Sequence, residues 1–309
     1  MLRVALIVNP AAGGGAARRR VPRLVRALAR VGPTPDVLET RGPRDAARLV
    51  DECRRTGVDL IAVAGGDGTL NEVCQAYLDR AGGPVSGPPI AVLPAGTGGD
   101  FRRTLGIGDD PDAAIQRVMT TEPRPFDLGA LSLTTHDGGT DTRAFVNITS
   151  FGLAGLTDRL VNGGPKWVGG RAAFYLATVR ALATWRNPPV RVAVDGEPWL
   201  DSPIVNVMIA NGRFFGGGMH IAPAADPADG AFDVVAVGDR SRLATLALTR
   251  AVYAGTHLGR RRITATRGTS VEARPARPGD VVLIDMDGET PGRLPLTARI
   301  VPGALWIRA

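Results

Sequence analysis

With 309 residues the chain has room for two domains, and a hydrophobic fraction of 44% is ordinary for a globular protein and too high for a disordered one. Its 40 glycines and 24 prolines follow no fixed period, which excludes collagen-like or low-complexity structure and calls for many tight turns. Basic residues outnumber acidic ones 37 to 30, Lys166 being the single lysine, and the net charge of +7 favours anionic partners.

Cys53 and Cys74 lie in no metal-ligand spacing and the three histidines are isolated, so neither a disulfide framework nor a zinc site is expected, and a reducing cytoplasm fits. The apolar run Val4–Val8 is shorter than the ~7–15 residues of a secretory signal and reads as a buried strand. No stretch approaches the ~20 apolar residues of a spanning helix.

The first hundred residues alternate buried strands with helices. After Val4–Val8 and the glycine-rich Asn9–Gly15, a helix places Val21, Leu24, Val25, Leu28 and Val31 on one face. Val37-Leu38 marks a second strand. A helix from Pro43 follows, burying Ala46, Leu49, Val50 and Cys53. Leu60–Ala64 and Ile90–Leu93 are further strands, with a helix from Leu70 to Tyr77 between them. This alternation predicts an α/β domain with a parallel sheet.

Near Pro123–Pro125 the pattern changes. Strand-like segments recur at Phe126–Leu133, Arg143–Thr149, Val190–Val194, Ile204–Ile209, Phe232–Val237, Ile263–Ala265, Val281–Ile284, Leu296–Ile300 and Leu305–Ile307. Helices over Ala172–Trp185 and Arg242–Tyr253 interrupt them. The expectation is a nucleotide-binding domain over 1–124 and a β-rich sandwich domain with inserted helices over 125–309, whose tail is free to pack back on the first domain.

Three glycine-rich loops follow three strands of the first domain: Asn9–Gly15, Gly65-Gly-Asp-Gly-Thr69 and Leu93-Pro-Ala-Gly-Thr-Gly-Gly-Asp100. In a parallel α/β sheet such loops share one edge, where ligands bind. Glycine lets backbone N–H groups approach phosphate, a helix N-terminus adds unpaired donors, and Thr69 and Thr97 offer hydroxyls. Asp67 would repel phosphate unless a Mg²⁺ lies between them. No G-x-x-x-x-G-K-[ST] is present, and the first loop lacks G-x-G-x-x-G.

Gly65-Gly-Asp-Gly-Thr-Leu-Asn-Glu72 resembles the signature of the diacylglycerol kinase catalytic domain, a superfamily that includes sphingosine kinases and, more distantly, NAD kinases. Val8-Asn-Pro-Ala-Ala-Gly13 resembles its first motif, and Leu93–Thr97 with Asp100-Phe101 its third. Asn211–Gly218, Ala222–Gly230 and Asp287-Gly-Glu289 resemble segments of bacterial soluble lipid kinases. The resemblance spans nearly the whole chain. It implies an ATP site between the domains, with Asn9, Pro10, Ala11, Ala12, Gly13, Thr40, Gly65, Gly66, Asp67, Gly68, Thr69, Leu70, Asn71 and Thr97 at nucleotide-binding positions. It also implies a structural Mg²⁺ at Asp229, with backbone oxygens near Asp226 and Ala231. Gly99 departs from the family, which usually has Asn there. The Asn-rich segment that follows the glycine loop in NAD kinases is missing.

Phosphoryl transfer needs a residue to take the hydroxyl proton. Asp-Gly-Glu occurs twice, at Asp195–Glu197 and Asp287–Glu289. The first sits between two strand patterns and reads as a hairpin turn. The second matches the family's carboxylate motif. In extended backbone Asp287 and Glu289 would project to one side, with Gly288 leaving room for a headgroup. Family position favours Glu289 as proton acceptor, and the sequence alone does not order the pair.

Lipid binding calls for an apolar cleft, with Phe145, Phe151, Leu153, Phe214, Phe215 and Met219 as candidates. Arg171 and Arg260–Arg262 are candidates for acidic headgroups. The expected activity is ATP- and Mg²⁺-dependent phosphorylation of a lipid hydroxyl such as that of diacylglycerol. A sphingoid base or phosphatidylglycerol as acceptor, or an inactive nucleotide-binding regulator, remain alternatives. The expected location is cytoplasmic and peripheral at the inner membrane surface. Nucleic acid is not expected as a partner, and a homodimer is compatible with the reading.

Overall fold

The structure, a computed structural model, describes residues 2–95, 99–162 and 170–309. Its first part follows the order β1 (Val4–Val8), α1 (Ala12–Val31), β2 (Asp36–Glu39), α2 (Asp45–Thr56), β3 (Leu60–Gly65), α3 (Asp67–Cys74), β4 (Ile90–Pro94), α4 (Asp100–Thr104) and α5 (Pro111–Thr120). β1 pairs in parallel with β2 and β3, and β3 with β4. Strand side chains alternate between faces. Val4, Leu6 and Val8 therefore pack with Leu24 and Leu28 of α1 and Ile115 and Val118 of α5. Ala5 and Ile7 pack instead with Leu49, Val50 and Cys53 of α2 and Leu70 and Val73 of α3. β2 is the exposed edge strand, and Val31 at the end of α1 is 43% exposed rather than part of the buried face.

The second part contains β5 (Arg124–Thr135), β6 (Thr140–Phe145), β7 (Ile148–Gly152), α6 (Leu153–Asn162), α7 (Gly170–Thr184), β8 (Pro189–Val194), β9 (Glu197–Ala210), β10 (Phe214–Phe215), β11 (Met219–His220), β12 (Phe232–Gly238), α8 (Arg242–Tyr253), β13 (Ile263–Gly268), β14 (Ser270–Pro275), β15 (Leu283–Met286) and β16 (Glu289–Arg308). One apolar cluster lies among β5, β8, β9, β14, β15 and β16. A second packs α6, α7 and α8 on β9 and β12.

Several elements differ from the sequence reading. The expected strand over Arg143–Thr149 is two strands, β6 and β7, broken at Val146-Asn147. The two segments expected near the C-terminus are one 20-residue strand, β16. β14 has only two small inward residues, Val271 and Ala273, and carried no strand signal. β16 runs antiparallel along β5, and its last residues Ile307 and Arg308 pair in parallel with Ile90 and Ala91 of β4. Backbone hydrogen bonding thus passes without a break from β13 in the second part to β2 in the first.

Candidate active site

The second glycine loop turns directly from β3 into α3. Gly65 is needed there, since a Cβ would lie 2.4 Å from the Thr69 side chain. Gly66 and Gly68 face open space, so their N–H groups and the start of α3 are accessible to an anion. In the first loop Gly13, Gly14 and Gly15 are all left-handed, and the Asn9 side chain accepts from Ala11 N–H at 3.0 Å. Thr40 closes the neighbouring strand end, its N–H donating to Val8 O at 2.9 Å. Pro10, Ala11 and Ala12 belong to the same turn. The middle of the third loop, with Thr97, lies outside the described residues. The side chains of Leu70 and Asn71 face inward rather than toward this edge, so a ligand would meet only their backbone.

Asp67 heads α3, but its carboxylate reaches across to the third loop. It accepts from the N–H groups of Gly99 (2.9 Å), Asp100 (3.0 Å) and Phe101 (3.2 Å), capping α4. Buried Asp100 lies beside it. Its Oδ1 pairs with Arg103, and its Oδ2 accepts from Gly217 N–H of the β10–β11 turn at 2.8 Å. Burial, and then the Asp67 charge, push the Asp100 carboxyl above its ordinary range. The donors around them offset this repulsion only in part, since the Asp100 carboxyl stays raised, and two such carboxylates suit a hard cation held together with substrate phosphates. The Asp67–Asp100 pair therefore fits Mg²⁺ chemically. Asp67→Ala should lower the melting temperature by about 2–3 °C, because loss of a helix cap costs about 1–2 kcal/mol. It should reduce turnover as well, and a variant with wild-type melting and turnover would remove both roles.

At Asp229, where the resemblance implies a structural cation, the carboxylate is engaged within the protein. Asp229 Oδ1 accepts from Ala231 N–H at 3.1 Å, and Oδ2 pairs with the Arg267 guanidinium. The Asp226 carbonyl accepts from Asp229 N–H at 3.3 Å. Arg267 thus neutralises the carboxylate expected to hold the metal. Asp127 anchors this loop instead, accepting from Gly230 N–H and Gly303 N–H, both at 2.8 Å.

The two Asp-Gly-Glu triplets form the same turn. Asp195-Gly196 (φ 51° and 83°) and Asp287-Gly288 (φ 49° and 89°) are two-residue hairpin connections with both residues left-handed. Asp287 and Glu289 therefore do not lie along an extended strand projecting to one side. The Asp287 carboxylate turns into the domain junction. Oδ2 accepts from Asn71 Nδ2 and Val146 N–H, both at 2.9 Å; Oδ1 accepts from Asn147 N–H (3.2 Å) and Ile148 N–H (2.9 Å). Burial pushes its carboxyl up to about 7, against the pull of these donors. Four bonds leave it no lone pair for a substrate proton, which corrects the expectation of a shared proton-accepting pair. Asn71 is held in turn by Gln75, which also bonds both backbone groups of Ala144.

Glu289, on the far side of the turn, remains half-exposed. Arg143 Nη1 stands 3.7 Å from its carboxylate. Burial raises the Glu289 carboxyl, Arg143 and Arg44 lower it, and Glu72 raises it. Arg44 and Glu72 belong to the first part of the chain, so Glu289 lies where the two parts meet. A Cβ on Gly288 would meet nothing within 4 Å, leaving space beside Glu289.

The catalytic domain of diacylglycerol kinases matches residues 3–131, and the C-terminal NAD kinase β sandwich-like domain of YegS matches residues 147–309. The chain belongs to the diacylglycerol kinase family of lipid kinases. A diacylglycerol kinase of Mycobacterium tuberculosis is 30% identical over 308 residues, 99% of this chain and 94% of that protein. One from Bacillus subtilis is 28% identical, over 96% of this chain and 92% of its own. A solved diacylglycerol kinase from Bacillus anthracis has a TM-score of 0.70 at 23% identity, covering 99% and 96% of the two chains. An NAD kinase of Archaeoglobus fulgidus, solved with ATP, shares the fold alone: TM-score 0.52, 15% identity, 100% and 94% covered.

Within this family member, Phe145 and Phe151 are fully buried and belong to the core rather than to a lipid cleft. Leu153, Phe215 and Met219 do line a cavity of about 140 Å³ between α6, α8, β9 and β12. Phe214 stacks on His220 at 4.3 Å. Arg143, Gln75 and the buried carboxylates Asp158 and Asp285 were not foreseen, since their roles arise from pairings between distant segments. Asp285 Oδ1 accepts from Gly288 N–H at 3.0 Å, and Oδ2 from Ser150 Oγ at 3.1 Å. Asp158, on α6, bonds Asp285; burial and this proximity raise the Asp285 carboxyl. The Asp158–Asp285 contact joins a wall of the apolar cavity to the Asp287-Gly288 turn.

Proposed function

We propose that the chain transfers the γ-phosphoryl group of ATP to the hydroxyl of a lipid such as diacylglycerol, with Mg²⁺ required. The observation that carries this reading is the half-exposed Glu289 beside open space at Gly288, on a turn that Asp287 locks to the nucleotide-domain helix α3. The phosphates are read onto the N–H groups of the Gly65–Thr69 turn. Mg²⁺, where bound, would neutralise charge on the transferring phosphoryl group, with Asp67 and Asp100 as its protein oxygens. Glu289 takes the acceptor's proton, and Asp287 positions the turn. The lipid chains are read into the apolar cavity, whose α6 wall reaches the turn through Asp158 and Asp285.

The base must be ionised, so activity should fall as pH drops through the raised Glu289 value, above the ~4.3 of an ordinary glutamate. Arg143 stabilises the charged form. Arg143→Ala should move this acid limb to higher pH and cost most at low pH; a limb moved to lower pH would contradict the assignment. The reading as a whole is tested by incubating the protein with γ-labelled ATP, Mg²⁺ and a panel of lipid alcohols in mixed micelles. Label should enter one lipid class. ATP binding without label in any lipid would favour the nucleotide-binding regulator instead.

A further inference from the structure

Helix α8 (Arg242–Tyr253) buries Leu248, Ala251 and Val252 against the second domain. A soluble surface helix would turn a polar face outward. α8 instead presents Leu243, 79% exposed, with Leu246 and Tyr253. These residues recur at helical spacing, and Arg242 and Arg250 are the only charges on the helix, which contains no acidic residue. Apolar side chains beside arginines on one face are the pattern of a helix that lies in a membrane interface.

A second feature adjoins it. Arg186, Arg240 and Arg242 line a depression of about 200 Å³ between the end of α7 and the start of α8. The Trp185 indole N–H and Arg240 Nε are buried there without a partner. Among the described residues none of the three arginines forms an ion pair. The nearby carboxylate of Asp239 is taken by Arg262 and Asn187. Exposed Arg260 and Arg261 add to the positive field. Thr245 lines both this depression and the apolar cavity, so the two openings share one wall.

We infer that α8 and the arginine depression form the face that docks this protein on an anionic lipid surface. Leu243 enters the interface, and a phosphate-bearing lipid headgroup seats among Arg186, Arg240 and Arg242. This rests on the lipid-kinase reading, since it brings the mouth of the apolar cavity to the bilayer that supplies the acceptor. Each arginine near an anionic surface strengthens partitioning about fivefold.

The test compares wild type, Leu243→Glu and the double variant Arg186→Ser/Arg242→Ser in co-sedimentation with vesicles. One set is phosphatidylcholine alone, the other equal parts phosphatidylcholine and phosphatidylglycerol. Wild type should prefer the anionic vesicles, less so as salt rises. The double variant should bind them about 20–30-fold more weakly. Leu243→Glu should lose binding while keeping wild-type turnover on a short-chain diacylglycerol dissolved in water. Variants that sediment like wild type, or a wild type indifferent to phosphatidylglycerol, would overturn the docking face. Failure of wild type to phosphorylate the dissolved acceptor, with vesicle binding lost in the variants as expected, would sink diacylglycerol as the acceptor and leave the docking face standing.

Discussion

Glu289→Gln is expected to cut lipid phosphorylation by at least about 10²-fold and leave ATP affinity nearly unchanged, because a positioned base is worth about 10²–10⁴ in rate. Glu289 lies on the cleft side of the turn, is raised by burial, and faces Arg143 at 3.7 Å. The amide keeps its shape and removes only the basic oxygen. Glu197→Gln is the control. Glu197 opens β9 after an identical turn, but it is exposed, and the Asp195 beside it caps Thr269 and Ser270 within the second domain. Its loss should change turnover little. A dead Glu197 variant beside an active Glu289 variant would reverse the assignment.

The second large effect is expected at Asp287, and it should appear in stability as well as in rate. Asp287→Ala strands three backbone N–H groups, at Val146, Asn147 and Ile148, and removes one of the Asn71 amide's hydrogen bonds in a buried junction. An unsatisfied buried donor costs about 1–3 kcal/mol. Partial relaxation brings the total to about 3–5 kcal/mol, a fall in Tm of about 5–8 °C. Turnover should fall with it, since the turn presenting Glu289 loses its anchor to α3. Asp195→Ala removes the equivalent cap from an exposed turn and should cost about 1 kcal/mol. Equal losses in the two variants, measured by thermal melting, would show that the junction adds nothing to the Asp287 cap.

These two residues also mark where sequence reading succeeded and where it stopped. The glycine loops were legible because each follows a continuous apolar strand, and glycine leaves few physical readings for such a turn. Helices α2 and α8 were legible from their apolar spacing; α8 begins and ends where its periodicity does. Asp-Gly was read as a hairpin turn only at the first triplet, and the structure has the same turn at both. What separates them is tertiary. Asp287 meets Asn71, 216 residues away, whereas Asp195 meets only the next hairpin of its own domain. No local pattern carries that difference, and the resemblance alone chose between them. The extended-strand argument for Asp287 and Glu289 failed because left-handed Asp-Gly sends the two side chains apart. Arg267 illustrates the same limit. It lies 38 residues from Asp229, yet it pairs with the carboxylate expected to hold a cation. β14 and α6 escaped notice because short, small-residue segments show no clear period until their neighbours cover them.

The most direct test of the account is a crystal structure with a non-hydrolysable ATP analogue and Mg²⁺. The account predicts phosphates against the Gly65–Thr69 turn, with the terminal phosphate facing the Glu289 side of the cleft. Phosphates bound elsewhere, or a terminal phosphate turned away from Glu289 toward Asp195–Glu197, would contradict it.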